Sequence, residues 1–291
     1  LSKNLRGKKL IVADIGSTGG LDKAWFPLRN FLSIYSFDPD VRAVNVRELG
    51  VVFPNALWSS KGKRIFYLTS FPPASSLLLP NKEVLDKFQV SDAHAIIGKK
   101  KIDVYKMDDV LRDYQASDFI KIDAEGADFE ILKGAQENIN KNCLGIQIEV
   151  QFLKRNKNSP MFSEVDSFLR LKGFTLINLK REYWLRKNKK WGAFSQMQLI
   201  WGDALYLLSA KKFKERISKS SSIERKIQIT KFVMICMVFG AHDYAYEILE
   251  ASEEDTLIDK DSNGELKSFI DKNIISFPSA LIVSLIRLLL S

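Results

Sequence analysis

The sequence predicts an α/β protein built on a doubly wound, mostly parallel sheet. Short apolar runs alternate with amphipathic stretches from residue 9 to about residue 179, as in strand–helix–strand units. The first run, Lys9–Ala13, ends in a glycine-rich turn that leads into a helical stretch. A later run, Phe119–Ile122, ends in acidic residues and is again followed by a helical stretch, Ala127–Ala135. In such a sheet, ligands bind beyond the carboxyl ends of the strands.

The composition indicates a globular protein with a small second region. The 291 residues are 46% hydrophobic and 27% charged, and the strand–helix alternation stops after Leu208. We therefore predict a main domain over residues 1–208 and an α-helical C-terminal region over 209–291. Cys143 and Cys236 form neither a disulfide framework nor a zinc pattern, which favours a reducing, cytoplasmic location. The apolar run Ala280–Leu290 is too short to span a bilayer, and its alternatives are a packed helix and a peripheral membrane anchor.

The elements between these landmarks follow from apolar periodicity and turn residues. Predicted strands after the first one are Ile34–Phe37, Val51–Leu57, Arg64–Thr69, Ala93–Ile97, Ile102–Tyr105, Phe119–Ile122, Gly145–Val150, Phe174–Leu179 and Leu199–Leu208. Lys61–Lys63 is predicted to be a hairpin turn, and Ser70–Asn81 a loop near the site. Predicted helices are Leu21–Leu32, Val41–Leu49, Val84–Phe88, Met107–Leu111, Ala127–Ala135, Phe162–Leu171, Arg225–Phe239, Tyr244–Leu249, Phe269–Ile275 and Ala280–Leu290.

The turn after the first strand suits a ligand that carries a cationic amino-acid group. Gly16 and Gly20 let the backbone approach a ligand closely, but the pattern lacks the Gly-x-Gly-x-x-Gly of dinucleotide sites. Asp14, at the end of the strand, would repel a pyrophosphate and attract an ammonium group. Asp38, at the end of the second strand, is placed to accept hydrogen bonds from a ribose diol.

The acids after Phe119–Ile122 are the candidate catalytic groups. Asp123 and Glu125 follow the strand directly, and two carboxylates in a dry interior are costly unless they serve a purpose. Lys121 lies on the same strand face as Asp123 and needs a charge partner, which we expect to be Glu149 or Asp123. Neither histidine has a metal-ligand neighbour at a useful spacing, and we predict no metal site.

Several motifs, in order, resemble the FkbM family of S-adenosylmethionine-dependent methyltransferases. They are Asp14-x-Gly16-x-Thr18-x-Gly20, Phe37-Asp38-Pro39, Met107-Asp-Asp-Val-Leu111, Phe119-Ile-Lys-Ile-Asp-Ala-Glu-Gly126, Leu132-Lys-Gly-Ala135, Ile148-Glu-Val150 and Asp203-Ala-Leu205. The resemblance covers about residues 8–208. The family usually has Asn in place of Thr18 and Glu in place of Asp38, and both differences are conservative.

The resemblance implies a seven-stranded class I methyltransferase sheet and O-methylation with S-adenosylmethionine as the cofactor. The residues expected to hold the cofactor are Asp14, Gly16, Thr18, Gly20, Asp38, Pro39 and Asn55. Asp123 or Glu125 is expected to be the base that removes the acceptor's proton, and the sequence does not choose between them. Amide-methylating enzymes usually carry Asn/Asp-Pro-Pro-aromatic at this strand end, so Asp123-Ala-Glu-Gly126 favours an oxygen acceptor.

Three alternatives remain open at this stage. A nicotinamide oxidoreductase would have the same fold, but it would be expected to carry the Gly-x-Gly-x-x-Gly pattern, which this sequence lacks. A non-catalytic module that binds S-adenosylmethionine or a glycan would bind cofactor without turnover. A nucleic-acid methyltransferase would also suit a basic chain.

The charge distribution predicts an anionic acceptor. The formal net charge is +9, and the surplus lies before residue 210. Lys154–Lys157 and Lys180–Lys190 are basic runs that follow predicted strands, and Tyr183, Trp184 and Trp191 lie within or beside the second run. Clefts lined by one sign of charge concentrate the opposite sign. We expect a phosphorylated or acidic saccharide first, and an anionic glycolipid or nucleic acid second. The family resemblance also implies a natural product as a further class of acceptor. The sequence does not predict an oligomeric state.

Overall fold

The computed structural model describes residues 1–16, 20, 22–39, 50–187 and 194–273. Three expectations therefore lie outside the described residues: the cofactor contact of Thr18, the helix over Val41–Leu49 and the helix over Ala280–Leu290. Trp191 and the end of the second basic run also lie outside them.

The main element is a seven-stranded sheet with the order β3-β2-β1-β7-β8-β10-β9. All neighbouring pairs are parallel except those of β10, which runs antiparallel to both β8 and β9. The strands are β1 Leu10–Ile15, β2 Leu32–Phe37, β3 Gly50–Phe53, β7 Phe119–Ile122, β8 Gly145–Gln151, β9 Phe174–Trp184 and β10 Gln198–Leu208. This confirms the predicted mostly parallel, seven-stranded class I methyltransferase sheet.

The inner strands are continuous apolar runs because both faces of the sheet are covered. All six residues of β1 are buried, and Phe119, Ile120 and Ile122 of β7 are almost inaccessible. The rings of Trp25 and Phe119 pack edge to face, with their centroids 5.2 Å apart. Trp25 lies in a 3-10 helix, Lys23–Phe31, where the sequence predicted an ordinary helix over Leu21–Leu32.

The helices of the described residues connect the strands and form the C-terminal region. They are α1 Ser2–Leu5, α2 Lys82–Leu85, α3 Met107–Val110, α4 Asp128–Gly134, α5 Gln136–Lys141, α6 Phe162–Leu171, α7 Ala210–Ile217, α8 Ser222–Val238, α9 His242–Glu254 and α10 Lys260–Asn273. No helix in the described part of the chain is both long enough and apolar enough to cross a membrane.

A second sheet, with three strands, is inserted between β3 and β7. Its order is β4-β6-β5, formed by Ala56–Leu57, Ile96–Tyr105 and Gly62–Thr69 respectively. The predicted strand Val51–Leu57 was wrong as one element, because it divides at Pro54–Asn55 between the two sheets. The predicted hairpin at Lys61–Lys63 was also wrong, since β4 and β5 both pair with β6 instead of with each other.

The C-terminal helices are joined to the sheet by a buried ion pair. Lys231 of α8 donates to Asp118 at 2.8 Å, and both side chains are buried. The same carboxylate accepts the backbone N–H of Ile11, so it ties the starts of β7 and β1 to α8. Removing α8 would leave Asp118 without its cation. The boundary near residue 208 stays a prediction.

Candidate active site

A cavity of about 310 Å³ opens at the carboxyl ends of β1, β2 and β7. Most of the predicted site residues line it, although they come from distant parts of the sequence: Gly16, Asp38, Pro39, Asn55, Asp123 and Glu125. Asp14 lies behind the cavity wall, and Gly20 is not among its lining residues. Phe66, Pro72 and Pro73 of the inserted segment form part of its wall. The sequence did not single out these three.

Gly16 is required because two strand ends press against each other at the floor of the cavity. Its backbone has a φ of +76°, and a Cβ there would lie 1.9 Å from the carbonyl oxygen of Asp123. The N–H of Gly16 donates to the carbonyl of Phe37 at 3.0 Å. No side chain therefore separates a ligand from the backbone at this point.

Asp14 and Lys121 form an ion pair below this floor. The two residues are directly opposite in the β1–β7 register, and Lys121 Nζ lies 3.3 Å from Asp14 Oδ1 and 3.7 Å from Asp123 Oδ2. Burial raises the pKa of the Asp14 carboxyl, and the charge of Lys121 opposes this rise. The expected pairing of Lys121 with Asp123 is confirmed, whereas that with Glu149 was wrong because Glu149 binds another cation.

The loop Asp123–Gly126 is held in a strained conformation by its neighbours. Glu125 adopts a left-handed backbone with a φ of +50°, which is unusual for a residue with a side chain. The Asp128 carboxylate accepts hydrogen bonds from the N–H groups of the two residues that flank Glu125, Ala124 at 2.9 Å and Gly126 at 2.8 Å. Ser76 Oγ donates to the Glu125 carbonyl at 2.6 Å. The loop is thus preorganised, with Glu125 among the residues that line the cavity.

Arg155 joins two of the site's carboxylates. It ion-pairs with the buried Glu149, and its Nη1 lies 3.6 Å from Glu125 Oε2. The guanidinium is buried, 5.4 Å from the ring centre of Trp201. The sequence placed Arg155 in a basic run facing the acceptor, which was wrong for this residue: it points inward, where it is the cation that neutralises the buried Glu149.

Burial also shifts the titration of Glu125. It raises the pKa of Glu125 to about 7, and the nearby positive charge of Arg155 limits the rise. The pKa of Asp128 is raised to about 6, also by burial, although its two backbone hydrogen bonds favour the charged form. A carboxyl group that titrates near neutral pH is suited to general base catalysis.

Three carboxylates of the site are close enough to share a cation. Oxygens of Asp123, Glu125 and Glu149 lie within 4.8 Å of one another. The guanidinium of Arg155 already supplies positive charge to Glu125 and Glu149, which is the role that a metal ion would otherwise fill.

Sequence reasoning missed Asp128, Ser76 as a loop support and Arg155 as a buried partner. Asp128 had a usable signal, since an acid two residues after a glycine at a helix start commonly accepts backbone N–H groups. Ser75 and Ser76 belong to the segment Ser70–Asn81, which the sequence placed as a loop near the site. Ser75 lines the cavity, while Ser76 instead supports the acidic loop.

Comparison with known proteins identifies a family for part of the chain. The model of the methyltransferase FkbM domain matches residues 56–176, which include the acidic loop and Arg155 but neither Gly16 nor Asp38. Among curated proteins, none is significantly similar in sequence to this chain.

Two solved methyltransferases are distantly similar to this chain. A methyltransferase FkbM from Methylobacillus flagellatus KT is 14% identical, with a TM-score of 0.40, and the match covers 68% of this chain. This chain spans only 43% of the length of that protein. The magnesium protoporphyrin IX methyltransferase of Synechocystis PCC 6803, solved with bound SAM, is 10% identical, with a TM-score of 0.33; the match covers 69% of this chain and 71% of that one.

The family match covers the strand end, acidic loop and helix that form one side of the cavity, and the sheet has the class I methyltransferase form. Residues 56–176 therefore match the methyltransferase FkbM domain, and the fold of the chain is that of class I methyltransferases.

Proposed function

We propose that the protein transfers a methyl group from S-adenosylmethionine to a hydroxyl oxygen of an anionic acceptor. The observation that carries this proposal is the single cavity in which Gly16, Asp38 and Asn55 meet Asp123 and Glu125. The first three suit the binding of an amino-acid nucleoside, and the last two suit proton removal.

The residues present fit this cofactor. Asp14 Oδ2 is buried next to the cavity floor and has no hydrogen-bond partner among the described residues, and the ammonium group of the cofactor would supply the missing donor. Gly16 lines the cavity without a side chain, so a ligand there can lie against the backbone. Asp38 ends β2 at the cavity, where it can accept from a ribose diol.

S-adenosylmethionine, when bound, supplies an electrophilic methyl group on its sulfonium. The protein's part is to align the acceptor oxygen and to take up its proton. We assign the base to Glu125, because it lines the cavity and its pKa of about 7 is near the optimum for a base at neutral pH. Arg155 and Asp128 hold its carboxylate and its backbone in place. Alignment of reacting groups can contribute about 7–11 kcal/mol to lowering the barrier.

Cofactor binding tests this proposal without knowledge of the acceptor. Asp38→Ala should weaken S-adenosylmethionine binding by about 1–3 kcal/mol, because ribose hydroxyls would lose their acceptor in a buried site. Isothermal titration calorimetry of both proteins measures the change. Asp86→Ala, which alters an exposed acid of the α2 end, is the matched control and should bind as the unaltered protein does. Equal affinity for Asp38→Ala would show that the ribose is held elsewhere.

The acceptor class is supported by exposed cations at the same edge of the sheet. Lys154 and Lys157 follow β8, Lys187 follows β9, and all three are exposed. They suit a phosphorylated or acidic saccharide, while the buried Arg155 belongs to the protein's own carboxylates. Lys189 and Lys190 of the same run lie outside the described residues.

The acceptor's KM should rise with salt, because exposed charges are screened within about 10 Å at 0.1 M ionic strength. Changing Lys154, Lys157 and Lys187 together to Ala should raise that KM and leave cofactor affinity unaltered. The control is a variant in which Lys211, Lys212 and Lys219 are changed together to Ala. These lysines follow β10, which ends at the edge of the sheet opposite to the cavity. The measurement is release of S-adenosylhomocysteine in a screen of neutral and anionic saccharides. A salt-independent KM with an unaffected first variant would contradict an anionic acceptor.

A further inference from the structure

The strands β5 and β6 form a two-stranded ribbon, and only one of its two faces lines the active-site cavity. Side chains alternate along a strand, and the register pairs Ile65 with Lys101 and Tyr67 with Lys99. Phe66 and Ile102, on the inner face, line the active-site cavity. Lys99 and Lys101 therefore lie on an outer face that points away from the cavity. Leu68 and Lys100, which is opposite Phe66, lie on the inner face, beyond the cavity at the end of the ribbon.

One end of this ribbon exposes a group of large apolar side chains. Ile97 is 72% exposed and Phe71 is 54% exposed, and Leu68 and Ile96 beside them are also exposed. The register shifts between Leu68 and Thr69, so that Ile97 is an extra residue without a partner on β5. Such a bulge redirects a side chain, here towards solvent. Exposed clusters of this kind mark surfaces that contact a partner or a membrane.

Lysines adjoin the apolar group directly. Lys99, Lys100 and Lys101 follow Ile97 on the same strand, all three are exposed, and none has an acidic partner among the described residues. The one acid of the ribbon, Asp103, lies 3.9 Å from Lys63. The ribbon therefore presents aliphatic and aromatic tips next to an excess of positive charge.

We propose that the ribbon end, defined as Leu68, Phe71, Ile96, Ile97 and Lys99–Lys101, docks on an anionic phospholipid bilayer. The apolar tips would enter the boundary between headgroups and acyl chains, and the lysines would contact anionic headgroups. A second copy of this chain fits less well, since like charges would meet. Nucleic acid fits less well because three of the four tips are aliphatic and offer no stacking surface.

This contact would place the active site close to the membrane surface. Phe71 is followed directly by Pro72 and Pro73, which line the cavity, and Phe66 lines it from the inner face of the ribbon. An acceptor attached to a membrane lipid could then enter the active-site cavity while the lipid stays in the bilayer. The docking itself does not depend on the proposed methyl transfer.

Vesicle sedimentation of the full chain at low salt tests this proposal. The protein should partition onto vesicles of equal parts phosphatidylcholine and phosphatidylglycerol, and not onto phosphatidylcholine alone. Changing Lys99, Lys100 and Lys101 to Gln should lower partitioning by at least tenfold, since each lysine near an anionic surface contributes roughly fivefold. Ile97→Ser combined with Phe71→Ser should lower it by roughly tenfold through loss of apolar insertion.

Two control variants distinguish binding through this surface from nonspecific adsorption to vesicles. Leu171→Ser removes an apolar side chain that is 88% exposed on α6, and the triple change of Lys211, Lys212 and Lys219 to Gln removes equal charge elsewhere. Both should partition as the unaltered protein does, and thermal melting should show that every variant is folded. The proposal is overturned if the unaltered protein ignores anionic vesicles, if it binds neutral vesicles equally well, or if the ribbon variants bind as the controls do. Normal cofactor binding alongside such a failure would leave the proposed function intact.

Discussion

Replacing Glu125 by glutamine is expected to lower the rate of methyl transfer by about 10²–10⁴, the usual contribution of a general base. Glutamine keeps the size of the side chain and can still contact Arg155, but it cannot accept a proton. The affinity for S-adenosylmethionine should change little. Asp123→Asn is the matched comparison, because it alters the other candidate acid of the same loop.

The pH profile gives this prediction a second readout. Because the base must be deprotonated, the rate should rise with pH up to the pKa of Glu125, about 7, and level off above it. The rising limb should be absent from Glu125→Gln. If the profile keeps this limb in Glu125→Gln and loses it in Asp123→Asn, the base is Asp123.

The same carboxyl group should cost the protein stability while it serves catalysis. Its pKa in the folded state lies above the ordinary value of 4.5, so the folded protein binds the proton more tightly than the unfolded chain. The contribution of Glu125 to the free energy of unfolding is therefore greatest below pH 4.5 and decreases as pH rises to about 7. Glu125→Gln should remove this pH dependence, as expected where an active site trades stability for activity.

The second large effect concerns Arg155. Arg155→Met should lower the free energy of unfolding by about 3–5 kcal/mol, because it leaves the buried Glu149 without its cation. Without Arg155, the pKa of Glu149 would be raised still further by burial. Since a raised carboxyl pKa lowers stability as pH rises, the loss should be larger at pH 8 than at pH 5. Urea unfolding at both values measures it.

Two variants make this result specific to the buried pair. Glu149→Gln combined with Arg155→Met should regain most of the stability, because no buried charge is then unpaired. Arg170→Met breaks an exposed pair with Asp166 on α6 and should cost less than about 1 kcal/mol. An equal cost for Arg155→Met and Arg170→Met would mean that water reaches Glu149.

The sequence predicted those features that depend on local patterns. The bounds of β7 and α6 are as predicted, because a short buried run and an amphipathic repeat each carry their own periodicity. The collection of Gly16, Asp38 and the acidic loop at one edge was predictable from parallel strand order alone. The family resemblance added the identity of the cofactor, which no periodicity contains.

The errors arose where the outcome depends on contacts between distant residues. Nothing in the composition of the run distinguishes Arg155 from the exposed lysines beside it; its burial depends on the chain turning back after β8, so that the guanidinium meets Glu149 of that strand. Similarly, Val51–Leu57 has the composition of one strand, but its halves pair with different partners, β2 and β6. Lys121 was expected to pair with Glu149 or Asp123. It pairs with Asp123 and also with Asp14, which the parallel register places directly opposite it.

The close approach of Gly16 to Asp123 limits which fragments of the protein could bind the cofactor. The cavity floor is shared by β1 and β7, whose paired residues Asp14 and Lys121 are 107 positions apart in sequence. A fragment limited to residues 56–176 would keep the acids but would lose β1, β2 and half of the floor. It would also expose β7 as an unpaired edge, a template for aggregation. The smallest unit able to recognise the cofactor must therefore begin upstream of β1, and its assembly requires long-range strand pairing, which is slow.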